Sequence, residues 1–154
     1  MASALTAYLH YLAMIAIAVI LVVEHMLCAP GLGGSRIRLL ARLDLLYMAA
    51  AVLALTSGVA RVVWFGKGAM FYLHNPVFYI KLALFIAIGL LSIPPTLQYL
   101  RWLRGLESGT ADSAADYQVI RVRRYILMAL ILFAFIPLMA TFTARGIGMQ
   151  TVAR

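Results

Sequence analysis

A few side chains in this sequence could do chemistry, and they stand among apolar neighbours. His10 lies within Tyr8-Leu9-His10-Tyr11-Leu12. Glu24 and His25 close the first apolar stretch, Arg42 and Asp44 open the second, and Arg61 closes it. His74 precedes the third stretch, and Lys81 lies a turn or so inside it. A charged group at mid-bilayer costs about 2.5–3.5 kcal/mol on insertion scales, so such residues are candidates for function by default. An imidazole offers a ring nitrogen to a metal or a proton. A buried lysine offers a lone pair once deprotonated, and an arginine offers a fork to an oxyanion.

These groups sort into two layers. One holds His10, Arg61 and Lys81, with His74 just above it. The other holds Glu24, His25, Arg42 and Asp44. The step from His10 to Glu24 falls about 40° short of whole turns, so the two share a helix face. The first layer suits a b-type haem, with His10 as an axial ligand, His74 or Lys81 as its partner, and Arg61 for a propionate. Copper is an alternative, because Met14 follows His10 by one helical turn and a thioether beside an imidazole suits Cu(I). The second layer suits a proton relay through Glu24, His25 and Asp44. Each residue also has a plainer role. Lys81 and Arg61 can snorkel, His10 can bond a neighbouring helix, and Glu24–His25 and Asp44–Arg42 can form ion pairs. Gly66-Lys67-Gly68 lacks the rest of a phosphate loop, and no HExxH or GxSxG is present.

The elements that position these residues are long and apolar. The chain has 154 residues, of which 65% are hydrophobic and 12% charged. A soluble domain carries about twice that charge, so lipid is the expected solvent. Apolar stretches at about 5–27, 38–64, 76–99 and 120–143 can each cross a bilayer as a helix of roughly 20 residues. The expected fold is all-α, an integral membrane four-helix up-and-down bundle forming one transmembrane domain. Ala29-Pro30-Gly31-Leu32-Gly33-Gly34-Ser35 is expected to form the first turn, Asn75-Pro76 to cap the third helix, and Ser113 to Asp116 has capping-box spacing before the fourth. Pro94, Pro95 and Pro137 are expected to kink or adjust their helices. Gly58 and Gly89 mark close helix contacts. The single cysteine, Cys28, excludes an internal disulfide.

Net charge is +8, which in a soluble protein would suggest nucleic acid. Here it reads as orientation. Loops one and three and their flanks hold Arg36, Arg38, Arg42, Arg101, Arg104, Arg121, Arg123 and Arg124. The opposite side holds Arg61, Lys67, Arg145 and Arg154, with Lys81 deeper. Lys and Arg resist translocation, so loops one and three are expected in the cytoplasm and both termini in the periplasm of a bacterial inner membrane. Tyr8, Tyr11, Trp64, Phe71 and Tyr72 are expected as one interfacial belt, and Tyr47, Tyr99, Trp102 and Tyr125 as the other. The expected partners are the bilayer and a second copy or another membrane protein, not nucleic acid.

Three segments carry a resemblance: Tyr8-Leu9-His10-Tyr11-Leu12, Ala41-Arg42-Leu43-Asp44-Leu45-Leu46-Tyr47, and His74-Asn75-Pro76 through Lys81-Leu82-Ala83-Leu84. With Ser92-Ile93-Pro94-Pro95-Thr96, they resemble a family of small bacterial four-helix membrane proteins of unknown function. More distantly, the chain is similar to HemJ-type protoporphyrinogen oxidases and CopD-type copper-resistance domains. That similarity implies a b-haem, with His10 and Lys81 as ligands. The aromatic-glycine pattern after the first histidine is missing, since Ile15 to Val23 is aliphatic, so porphyrin oxidation does not carry over. The resulting expectation is a haem-binding redox or haem-handling bundle with no assigned reaction. A structural subunit and a proton-coupled transporter are the alternatives.

Overall fold

The computed structural model describes residues 1–65, 74 and 76–145, with the backbone alone at 65, 143 and 144. Four long helices run in order: α1 (Ala2–Leu27), α2 (Gly34–Ala60), α3 (Pro76–Glu107) and α4 (Asp116–Ala144). A π-helical turn, Arg61–Phe65, extends α2. Each helix is long and apolar enough to cross a membrane. The fold is an all-α four-helix membrane bundle, without strands among the described residues. Sequence neighbours are spatial neighbours, and α1 closes the ring on α4, while the diagonal pairs keep their backbones apart. That is the ring order of an up-and-down bundle. The closest pairings are α1 with α2 and α3 with α4.

Each helix buries one stripe. In α4 the stripe is Val119, Val122, Ile126, Ala129, Phe133 and Ile136, spaced alternately three and four residues apart. In α2 it is Ile37, Leu40, Asp44, Tyr47, Ala54 and Ser57. Such spacing keeps one seam facing the partner helix. The other faces are equally apolar. Leu45, Leu46, Val52, Ile86, Leu90 and Ile131 are exposed, which suits lipid and would be a liability in water.

Loops one and three meet at one end of the bundle. Gly33 and Ser113 form an antiparallel bridge, and Ala114 N–H donates to Leu32 O at 3.1 Å. Gly31 N–H donates to Asp116 Oδ1 at 2.9 Å. Gly31 has φ +75°, a left-handed conformation that a Cβ would strain. Asp116 therefore serves the neighbouring loop and not a capping box with Ser113. Behind the loops Cys28 is fully buried, and its thiol donates to Val119 O at 3.6 Å. Burial pushes this thiol up to about 11. Glu24 adds to the rise and Arg123 opposes it.

The belt expected at this end is corrected. Tyr47, Tyr99 and Trp102 are buried in the bundle and do not lie at the lipid interface. Each finds polar or aromatic company there. Tyr47 Oη lies 2.8 Å from Ser92 Oγ, and Trp102 Nε1–H donates to Gln118 Oε1 at 2.8 Å. The Tyr99 and Trp102 rings lie 5.9 Å apart. Tyr8, Tyr11 and Trp64 at the far end are exposed, as a belt requires. Lys67, Phe71, Tyr72, Asn75 and Arg154 lie outside the described residues. α3 runs through Pro94 and Pro95 without a break, and the Ser92 hydroxyl returns to the Ile88 carbonyl.

Candidate functional site

The buried face of α1 carries Ala13, Ile17, Ile20, Leu21 and Glu24, with His10 half-buried one turn earlier. His10 and Glu24 thus share the inward face, about two-thirds of a bilayer apart along the helix. Two polar clusters follow, one at each depth.

Toward the far end, His10 reaches across to α2. Its Nδ1 lies 3.0 Å from Ala54 O and 3.1 Å from Ser57 Oγ. The Ala54 carbonyl can only accept. The Ser57 hydroxyl donates to Leu53 O, so it too presents a lone pair to the ring. Both contacts call for a proton on Nδ1, which leaves Nε2 as a bare acceptor. Among the described residues Nε2 has no hydrogen-bond partner. The close approach depends on Gly58, where a Cβ would stand 3.2 Å from His10 Cε1. Arg61 Cζ lies 5.2 Å from the centre of the Tyr11 ring, and Lys81 Nζ lies 5.3 Å from that of Phe78. Arg61 thus sits against Tyr11, the sequence neighbour of His10 on α1, whereas Lys81 sits against Phe78 of its own helix. His74 sits in a turn ahead of α3 and is exposed.

Toward the loop end, two carboxyl groups are buried. Glu24 is 2% exposed and Asp44 is 7% exposed. Both line a cavity of about 10 Å³, together with Leu21, Tyr47, Ser92 and Pro95. That is room for about one water molecule. Thr96 Oγ1 donates to Asp44 Oδ1 at 2.9 Å. Glu24 Oε1 has no hydrogen-bond partner, and neither has the Tyr99 hydroxyl or His25 Nδ1. The ion pairs expected with His25 and Arg42 do not form. Glu24 and Asp44 point into the bundle, whereas Arg42, two residues from Asp44, is carried round to the exposed side.

Above this cluster an apolar cleft of about 310 Å³ separates α2 from α3. Tyr47, Met48, Ala51, Phe85 and Gly89 line it, and Ile17 and Phe133 close its inner wall. Neither His10 nor Lys81 borders it.

Sequence reasoning missed Tyr47, Ser57, Ser92 and Thr96 as partners of the charged groups. Their signal was available, since hydroxyl side chains in lipid-spanning helices seek partners on neighbouring helices. No curated protein and no solved structure matches the chain. The family model described as "Predicted membrane protein (DUF2214)" matches residues 2–148, and the chain belongs to that family.

Proposed function

We propose that this membrane protein handles protons at the Glu24–Asp44 pair. The observation that carries the reading is Glu24 itself: a carboxyl 2% exposed, with one oxygen lacking any partner. A structural ion pair would hold a cation beside it, and none of the described residues supplies one. A carboxyl group kept in an apolar bundle interior without a cation costs stability that an apolar residue would not. Proton exchange is the chemistry such a group can perform. The adjoining water-sized cavity and the hydroxyls of Thr96, Ser92 and Tyr47 offer steps for a proton between Asp44 and the bundle interior. In this reading the chain sits in a bacterial inner membrane with both termini periplasmic, supported by the arginine-rich loop end. A single four-helix bundle without an inverted repeat would work as an oligomer or with a membrane partner.

The test is flux. Purified protein is reconstituted into liposomes containing a pH-sensitive dye, and a potassium diffusion potential is imposed. Proton entry above that of empty liposomes is expected, with a loss of about tenfold or more in Glu24→Gln and partial retention in Glu24→Asp. Flux no greater than in empty liposomes, or equal flux in Glu24→Gln, would overturn the reading.

A b-type haem held by His10 is the second reading, favoured by the bare Nε2. A metal-ligating histidine commonly donates its other N–H to a backbone carbonyl, and Nδ1 does so here. Lys81 is the proposed second ligand, with Arg61 for a propionate and His74 as an alternative ligand from the loop. The donor chemistry fits. The ring would have to lie on the far-end flank of the bundle, because the cleft between α2 and α3 is not lined by either ligand. A bound haem would supply electron transfer. The chain's own part is to orient the imidazole through Ala54 and Ser57. An absorption spectrum of protein expressed with ample haem tests this. A Soret band lost in His10→Ala supports it, and a colourless preparation refutes it.

A further inference from the structure

The cleft between α2 and α3 encloses about 310 Å³. Protein interiors hold few voids larger than a water molecule, whereas small-molecule sites run from about 300 to 1,000 Å³. The floor of the cleft is buried. Ile17 comes from α1 and Phe133 from α4, so all four helices contribute to the wall. Met48, Ile93 and Leu97 at the rim are exposed, so the cleft opens toward lipid. Small side chains keep the space free. Ala51 and Gly89 stand on the two facing helices, and a Cβ at Gly89 would meet nothing within 4 Å. Water is a poor occupant of so apolar a wall.

Rings and hydroxyls define what fits. Tyr47, Phe85 and Phe133 bring aromatic rings to the lining, and such rings favour another ring over an aliphatic chain. The polar side chains of the lining are Tyr47, Ser92 and Thr96. Their hydrogens are already committed. Ser92 Oγ donates to Ile88 O at 2.9 Å, so Tyr47 is the donor across its 2.8 Å contact with Ser92. Thr96 Oγ1 donates to Asp44 Oδ1 at 2.9 Å. A hydroxyl has one hydrogen and two lone pairs, so these oxygens keep only the capacity to accept. A ligand that bonds them must bring a hydrogen of its own.

We propose that the cleft binds a lipid-soluble phenol or quinol that enters from the bilayer. Its ring lies among Tyr47, Phe85 and Phe133, and its hydroxyl donates to the Tyr47–Ser92 pair. A hydrocarbon chain would leave those acceptors unused, and a quinone or an ether would set lone pair against lone pair. Tyr47 and Ser92 also line the cavity beside Glu24 and Asp44. Binding nevertheless needs no proton flux, so this site and the proton-handling reading fail separately.

Thermal unfolding of the full-length protein in a neutral detergent, titrated with para-heptylphenol, tests the proposal. A saturable rise in Tm is expected. The methyl ether, para-heptylanisole, keeps the ring and tail without the donor, and undecanol keeps the donor without the ring. Each should bind about fivefold or more weakly than the phenol. Gly89→Leu fills the cleft and should weaken the phenol about tenfold or more. Leu90→Phe adds bulk at the next residue, which does not line the cleft, and should stay within about twofold of the parent. The comparison among the probes uses the parent protein alone and remains decisive if Gly89→Leu does not fold. The site is overturned by a phenol titration that does not saturate, or by the ether or undecanol binding as tightly as the phenol. Unchanged affinity in Gly89→Leu, or an equal loss in Leu90→Phe, overturns it as well.

Discussion

Replacing Glu24 with methionine should make the protein more stable. The residue is 2% exposed, and the wall around it is mostly apolar, including Leu21, Leu91, Ile126 and Ala129. A buried polar atom left without a partner costs about 1–3 kcal/mol, and Oε1 is such an atom. Methionine has similar length, no polar atom, and enough flexibility to fill a cavity of about 10 Å³. No partner is orphaned by the change, because no hydrogen bond to the Glu24 side chain is lost among the described residues. The expected gain is therefore about 1–3 kcal/mol, and each kcal/mol corresponds to roughly 2–4 °C in Tm for a chain of this size. Ile17→Ala, at a site 1% exposed on the same face, should lose about 2–5 kcal/mol and calibrates the assay. Thermal unfolding in mild detergent, followed by the buried Trp102, reads both. A fall in Tm for Glu24→Met would show that the carboxyl is held by interactions other than those described, and would remove the ground for assigning it a function. A rise in Tm with loss of proton flux would be the signature of a residue kept for activity at the expense of stability.

Three further outcomes follow from the same geometry. His10→Ala removes the donor to Ala54 O and Ser57 Oγ and opens a gap against Gly58; a loss of about 1–3 kcal/mol is expected, and an unchanged Tm would refute the bridging role. Two hydroxyl deletions should differ: Tyr47→Phe loses the contact with Ser92 and about 0.5–1.5 kcal/mol, whereas Tyr99→Phe, whose hydroxyl has no partner, should be neutral or stabilising in the same unfolding assay. The Cys28 thiol, raised from 9.0 to about 11, should react with iodoacetamide at pH 8 about 100-fold more slowly than a free thiol on thiolate population alone. Because the folded-state value is the higher one, its contribution to stability is full below pH 9.0 and is lost as pH rises through about 11. Alkylation within about tenfold of a free thiol would contradict the burial.

What the sequence made legible follows from where lipid and protein interior differ, and where they do not. Both are apolar, so hydrophobicity locates a span without saying which face turns inward. Tyr47, Tyr99 and Trp102 show the consequence: placed near span ends they look interfacial, yet the bundle buries all three. Polar residues break the degeneracy, because lipid rejects them and a neighbouring helix can accept them. Glu24 marks the inner face of α1, and the 100° rotation per residue brings His10 onto the same face. Asp44 marks the inner face of α2 in the same way, with Ile37, Leu40 and Tyr47 spaced three and four residues apart about it. Partner identity needed the fold. Thr96 meets Asp44, and Ser92 meets Tyr47, across helices whose relative depth no local pattern encodes. The ion pairs expected at Glu24–His25 and Asp44–Arg42 came from adjacency in sequence, where a helix carries near neighbours to different faces. A charged residue in such a span is therefore informative first about rotation. Only when rotation has brought it inward without a counter-charge, as with Glu24, does it become informative about function.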